Sequence, residues 1–118
     1  MMKDIDSTAE TTAAILDRLF QVIESRQGGD SEVSYTENLL ARGTPKIAQK
    51  VGEEAVEVVI EAMKVDGEKL AEESADLLYH LLVLWASAGI SPNDVWAELA
   101  RREGTSGIAE KASRKKDA

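Results

Sequence analysis

Apolar residues recur along this chain at three- and four-residue intervals, the spacing of one face of a helix. The stripe Ile15, Leu16, Leu19, Phe20, Ile23 predicts a helix from about Thr8 to Arg26, with Ser7 and Glu10 placed as a capping box. After the loop "GGDSEVS" (28–34), "YTENLLARG" predicts a short helical turn closed by Gly43. A second long helix is expected from Thr44 to about Val65, with Thr44 as N-cap and Pro45 at the first helical position. Its set Ile47, Val51, Ala55, Val58, Val59, Ala62 follows helical spacing and reads as core-bound. The third runs from Glu68 to Ala88 with Gly89 as C-cap. Beyond Asp76 it is apolar nearly all round (Leu77, Leu78, Leu81, Leu82, Val83, Leu84, Trp85), the mark of a helix covered on more than one side and here of a partner subunit. The fourth begins at "SPND" (91–94) and ends near Gly104, leaving "TSGIAEKASRKKDA" as a polar tail expected to be loosely structured. No segment alternates with period two. The fold class expected is all-α, a small antiparallel bundle of four main helices.

Polar positions interrupt this pattern in one informative way. "KVGEEAVEVVIEA" (50–62) carries Glu53, Glu54 and Glu57, and "EESAD" (72–76) carries Glu73 and Asp76. Like charges three or four residues apart on one helix face repel. The "VDG" turn (65–67) predicts an antiparallel hairpin. Glu57 lies about ten residues before Gly67, Glu73 six beyond it and Asp76 nine, so at about 1.5 Å rise per residue the levels nearly match. Four carboxylates, Glu54, Glu57, Glu73 and Asp76, then converge between facing helices, which is unfavourable without a cation. An all-oxygen donor set suits Mg²⁺, with Mn²⁺ as a possible substitute. A lone E-x-x-E is more often a solvated face; two at matching levels beside core positions are not. His80, four residues after Asp76, reads as a partly buried histidine near the core before it reads as a ligand. Lys46 and Lys50, on the turns before Glu54, are either helix ion-pair partners or phosphate contacts.

Composition narrows the rest. The chain has 118 residues, suited to one domain, and no cysteine, so disulfides and thiolate metal sites are excluded. With a single histidine, zinc is disfavoured. A formal charge of −8 argues against a nucleic-acid surface. The longest strictly apolar run, "LLVLWA" (81–86), is far short of a membrane span, and "MMKDIDSTAE" has no apolar core of a signal peptide. A cytoplasmic protein is expected.

The two acidic pairs, E54-A-V-E57 and E73-S-A-D76, resemble the signature of the MazG-like all-α nucleoside triphosphate pyrophosphohydrolases. Three longer stretches, 34–62, 72–90 and 94–115, resemble one family within that group, phosphoribosyl-ATP pyrophosphohydrolase of histidine biosynthesis. The resemblance implies a variable extension at 1–10, a helical domain over 11–104 and a tail over 105–118. It also implies hydrolysis of 1-(5-phosphoribosyl)-ATP to 1-(5-phosphoribosyl)-AMP and pyrophosphate, a homodimer, and Mg²⁺ held by Glu54, Glu57, Glu73 and Asp76. On this reading Glu53 orients the attacking water or completes the metal shell, and Lys50 stabilises phosphate charge. Lys46, Arg101, Arg102, Lys111 and Arg114 are candidates for substrate phosphates, set against a plain reading as surface charge. A house-cleaning (d)NTP pyrophosphohydrolase of the same group is the alternative, and a non-catalytic helical dimerisation module the contrasting class.

Overall fold

A computed structural model describes residues 11–30 and 34–117. Among these it contains six α-helices and no strand: α1 (Ile15–Ser25), α2 (Tyr35–Arg42), α3 (Thr44–Lys64), α4 (Gly67–Ala88), α5 (Pro92–Arg102) and α6 (Gly107–Asp117). The all-α expectation holds.

Local chemistry sets most boundaries. Ser34 caps α2, its Oγ accepting from the Glu37 amide at 3.1 Å. Asp66 caps α4 in the same way, accepting from the Lys69 amide at 3.1 Å, so the helix starts at Gly67 instead of Glu68. The α5 start is fastened by the Ser91 amide donating to Asp94 Oδ2 at 3.0 Å. Gly89, at φ 78°, ends α4.

Four expectations need correction. The first helix begins at Ile15; the segment before it forms turns, where the Thr12 hydroxyl accepts from the Ala14 amide at 3.3 Å and competes with helix continuation. The proposed cap, Ser7 with Glu10, lies outside the described residues. Thr44 is not an N-cap. Gly43, at φ 91°, ends α2 and caps α3 at once, and the Thr44 hydroxyl instead reaches the Ser87 hydroxyl at 2.6 Å, tying α3 to the end of α4. The polar tail is not loosely structured either: it forms α6, begun by the Ala109 amide donating to Ser106 Oγ at 3.1 Å.

The fourth correction concerns α3. The longest contact in the fold is the antiparallel α3–α4 hairpin, against which α1 and α2 pack. The core is Phe20 and Ile23 of α1, Leu39 of α2, Ile47 of α3, and Leu82, Val83 and Ala86 of α4. It therefore sits at one end of the hairpin. Beyond Ile47, α3 contributes no buried residue, and Val56, Val59, Ile60 and Met63 form an exposed stripe on it at i, i+3, i+4, i+7. α4 is partly covered on several sides, with Leu78 left 44% exposed. A Trp85–Trp96 edge-to-face contact, centroids 6.0 Å apart, joins α4 to α5.

Candidate metal centre

The α3–α4 hairpin brings carboxylates of both acidic pairs together. Glu54 of α3 and Glu73 and Asp76 of α4 each offer an oxygen, and the three oxygens lie within 4.8 Å of one another. Glu54 and Glu73 are half-buried and Asp76 is exposed, so the group is open to solvent on one side. The Glu73 carboxyl is pushed above the usual carboxylate range, first by burial and then by the negative charges of Asp76, Glu54, Glu57 and Glu61. Glu57 is thus a near neighbour of Glu73, outside the tight trio.

Glu61 is the member that sequence reading missed. It follows Glu57 by four residues, so Glu54, Glu57 and Glu61 share a face at i, i+3, i+7, and the spacing was there to be seen. Its carboxylate stands 3.6 Å from Lys64. The trio Glu54, Glu73 and Asp76, with Glu57 and Glu61 adding negative charge around it, is an all-oxygen donor set of the kind that suits a hard divalent cation.

Glu53 points away from this group. Its Oε1 pairs with the Lys50 ammonium at 3.2 Å, and its Oε2 accepts from Gln49 Nε2 at 2.9 Å. These contacts lower the Glu53 pKa, the Gln49 bond most and the Lys50 bond next, while Lys46 adds a weaker attraction. Lys50 is held charged above the ordinary lysine value, chiefly by its bond to Glu53, then by the nearby Tyr35 hydroxyl.

One turn along α4 from Asp76 stands a hydrogen-bonded chain that the sequence did not announce. The Tyr35 hydroxyl lies 2.8 Å from His80 Nε2, and His80 Nδ1 lies 2.7 Å from the Asp76 carbonyl. His80 is 5% exposed, near the core as the plainer reading expected but more fully buried. Beside it the hydroxyls of Thr36 and Tyr79 are in contact, linking α2 to α4 a second time.

The basic candidates further along lie in another place. Arg101 bonds Glu98 through Nε at 3.0 Å and Nη2 at 2.7 Å, and reaches Glu110 at 2.5 Å. Arg102 bonds Glu98 at 2.8 Å, and Arg114 stands 3.3 Å from Glu110. Glu110 is 5% exposed beneath these guanidiniums. Lys111 is exposed on α6. In this structure Arg101 and Arg102 clasp α5 to α6 through Glu110, Arg114 reinforces Glu110 from within α6, and a phosphate would have to compete with Glu98 and Glu110 for them.

Comparison with known proteins is consistent with this arrangement. Residues 16–103 match the family model described as phosphoribosyl-ATP pyrophosphohydrolase. A phosphoribosyl-ATP pyrophosphatase of Azospirillum brasilense is 64% identical over 104 residues, covering 88% of this chain and 94% of the relative. Proteins of the same name from Paramagnetospirillum magneticum and Rhodospirillum rubrum are 62% and 60% identical, covering 86% of this chain and 94% and 87% of the relatives. With both acidic pairs inside the matched span and helices alone around them, the chain belongs to the phosphoribosyl-ATP pyrophosphohydrolase family.

Proposed function

We infer that this chain hydrolyses 1-(5-phosphoribosyl)-ATP to 1-(5-phosphoribosyl)-AMP and pyrophosphate, the second step of histidine biosynthesis. The observation that carries the reading is the oxygen trio of Glu54, Glu73 and Asp76, built by two helices of a chain that belongs to this family. In the reaction a water oxygen bonds to the α-phosphorus, the bond to the bridging oxygen breaks, and pyrophosphate departs. Such displacement depends on positioning and on neutralising charge.

Glu54, Glu73 and Asp76, with Glu57 beside them, are the residues that would hold Mg²⁺. When bound, the ion supplies charge neutralisation and Lewis acidity toward phosphate oxygens. The raised pKa of Glu73 supports this assignment, since a group of crowded carboxylates is relieved by a cation. Glu53, exposed and bonded to Lys50 and Gln49, would have to release these partners to orient the attacking water or complete the metal shell. Lys50 and Lys46, one turn apart on α3, present positive charge to incoming phosphates. The ribose phosphate falls to Arg101, Arg102, Lys111 or Arg114 only if it displaces the Glu98 and Glu110 contacts.

A homodimer belongs to this reading, with a small antiparallel bundle completed by the second copy. The Cα radius of gyration is 16.8 Å, against about 13–14 Å for a compact domain of this size. The exposed stripe Val56, Val59, Ile60, Met63, together with Leu78, is the surface a second copy would cover. The expected interface helix, α4, thus contributes less of it than α3. No helix among the described residues is long and apolar enough to cross a membrane. A cytoplasmic location goes with this metabolic role.

The test is incubation with phosphoribosyl-ATP, with and without Mg²⁺, following pyrophosphate. Turnover should require the metal and vanish on chelation; full turnover in excess EDTA refutes the metal assignment. Activity on dUTP or dCTP without activity on phosphoribosyl-ATP would replace the substrate with that of a house-cleaning enzyme.

A further inference from the structure

A backbone carbonyl can only accept, so the 2.7 Å contact of His80 Nδ1 with the Asp76 carbonyl puts the proton on Nδ1. In the neutral ring Nε2 then accepts, and the Tyr35 hydroxyl donates to it at 2.8 Å. The tyrosine is braced from two further directions. Its ring meets His80 edge-on, centroids 5.8 Å apart, and lies nearly parallel to Tyr79 at 6.5 Å. Despite these anchors Tyr35 is 53% exposed.

The other four aromatic residues offer no comparable surface. Phe20 is in the core, Tyr79 is half-buried behind Tyr35, and Trp85 and Trp96 are half-buried against each other. The one exposed aromatic ring is therefore also one whose hydroxyl is fixed, two hydrogen bonds from the backbone of Asp76. Its hydroxyl is near enough to Lys50 to act on the charge of that residue.

In a nucleotide the base lies one ribose from the α-phosphate, and Tyr35 is tied through His80 to the turn of α4 that carries Asp76. A base leaving water needs a flat polarisable surface, and a ring already held in place loses little freedom in providing one. We propose that the exposed face of Tyr35, oriented through His80, is the stacking platform for the purine of the substrate. This rests on the reading of the neighbouring carboxylates as a nucleotide pyrophosphohydrolase site. It gives that site a means of distinguishing a nucleotide from a bare polyphosphate, which a metal centre by itself lacks.

The experiment compares equilibrium binding of ATP and of inorganic tripolyphosphate, each with Mg²⁺, to the full chain by calorimetry. Wild type should bind ATP more tightly than tripolyphosphate. Tyr35→Ala should weaken ATP binding roughly 5- to 100-fold, the usual loss of a base–aromatic stack, and leave tripolyphosphate binding unchanged. Tyr35→Phe keeps the ring face and should retain most of the ATP affinity. Tyr35→Leu, with bulk but no π-face, should behave like alanine and serves if the alanine variant does not fold. Equal loss for both ligands, no loss for either, a phenylalanine variant as weak as alanine, or a wild type that does not prefer ATP would each overturn the proposal. Turnover of phosphoribosyl-ATP by wild type is measured separately. Its absence, with intact Tyr35-dependent ATP preference, would sink the reaction and leave the platform standing.

Discussion

Lys50 reaches Glu53 and not Glu54: its Nζ lies 3.2 Å from Glu53 Oε1. The pair divides the neighbouring glutamates between two tasks, since Glu53 is drawn to the rim while Glu54 is left to face Glu73 and Asp76. Both partners are solvated enough for the ion pair to add little to stability. Lys50→Ala should therefore leave the melting temperature nearly unchanged yet impair turnover strongly, because a phosphate loses its cation. Lys50→Arg should recover part, as the guanidinium keeps charge but alters reach. Steady-state kinetics and thermal melts on the two variants decide it, and near-normal turnover in Lys50→Ala removes the residue from the site.

Glu73 carries a pH signature. Its carboxyl titrates above the ordinary range, so the folded metal-free chain holds this proton more tightly than the unfolded chain. The stability so gained is present at lower pH and is lost as pH rises through the raised value. Metal-free melts across about pH 4 to 8 should show a Glu73-dependent decline in this window that Glu73→Gln removes. At neutral pH the variant should melt at or above wild type while losing turnover by orders of magnitude. Asp76→Asn should likewise lose turnover by orders of magnitude without a fall in the metal-free melting temperature at neutral pH. A marked fall in the metal-free melting temperature would show instead that the carboxylates support the fold.

The exposed stripe on α3 gives the assembly prediction. Light scattering should report about twice the 12.8 kDa chain mass at micromolar concentration. Val59→Glu or Leu78→Glu should yield poorly folded chain in place of a stable monomer, because the protomer's own core is confined to one end of the hairpin. A well-folded wild-type monomer would contradict this.

The α5–α6 clasp predicts a local opening. The Arg101 and Arg102 bonds push the Glu98 carboxyl down to about 2. Its contribution is present above the ordinary carboxylate value and is lost as pH falls toward about 2. Glu110→Gln or high salt at neutral pH should speed amide hydrogen exchange in 107–117 and leave the α3–α4 hairpin protected. Unchanged exchange in α6 would show that something other than these charges holds it.

What could be read in advance depended on the range of the interaction. Caps are local, so the α4 and α5 starts at Asp66 and Ser91 were legible to within a residue. The facing of Glu54 with Glu73 and Asp76 followed from helix rise and a short turn. The periodicity of α3 showed an apolar face but not what covers it, so Val59 was assigned to a core that it does not enter. α6 was hidden because its anchor is a buried Glu110 beneath guanidiniums from other turns, a contact with no trace in local composition. The Tyr35–His80 bond spans 45 positions and leaves no periodic signal.

Only Val65 and Asp66 separate α3 from α4. Val65 lies in the left-handed region at φ 59°, ψ 37°, which a β-branched residue adopts at a cost. A glycine there would relieve the strain, and the chain would keep its phase. An extra residue would not be so benign. Added to α4 before Glu73, it would advance that helix by about 1.5 Å and rotate its side chains by about 100°, turning Glu73 and Asp76 away from Glu54. The number of residues between Glu54 and Glu73 therefore determines whether these carboxylates meet as much as the carboxylates themselves do. Variation in chain length should be tolerated far better between α5 and α6 than at this two-residue joint.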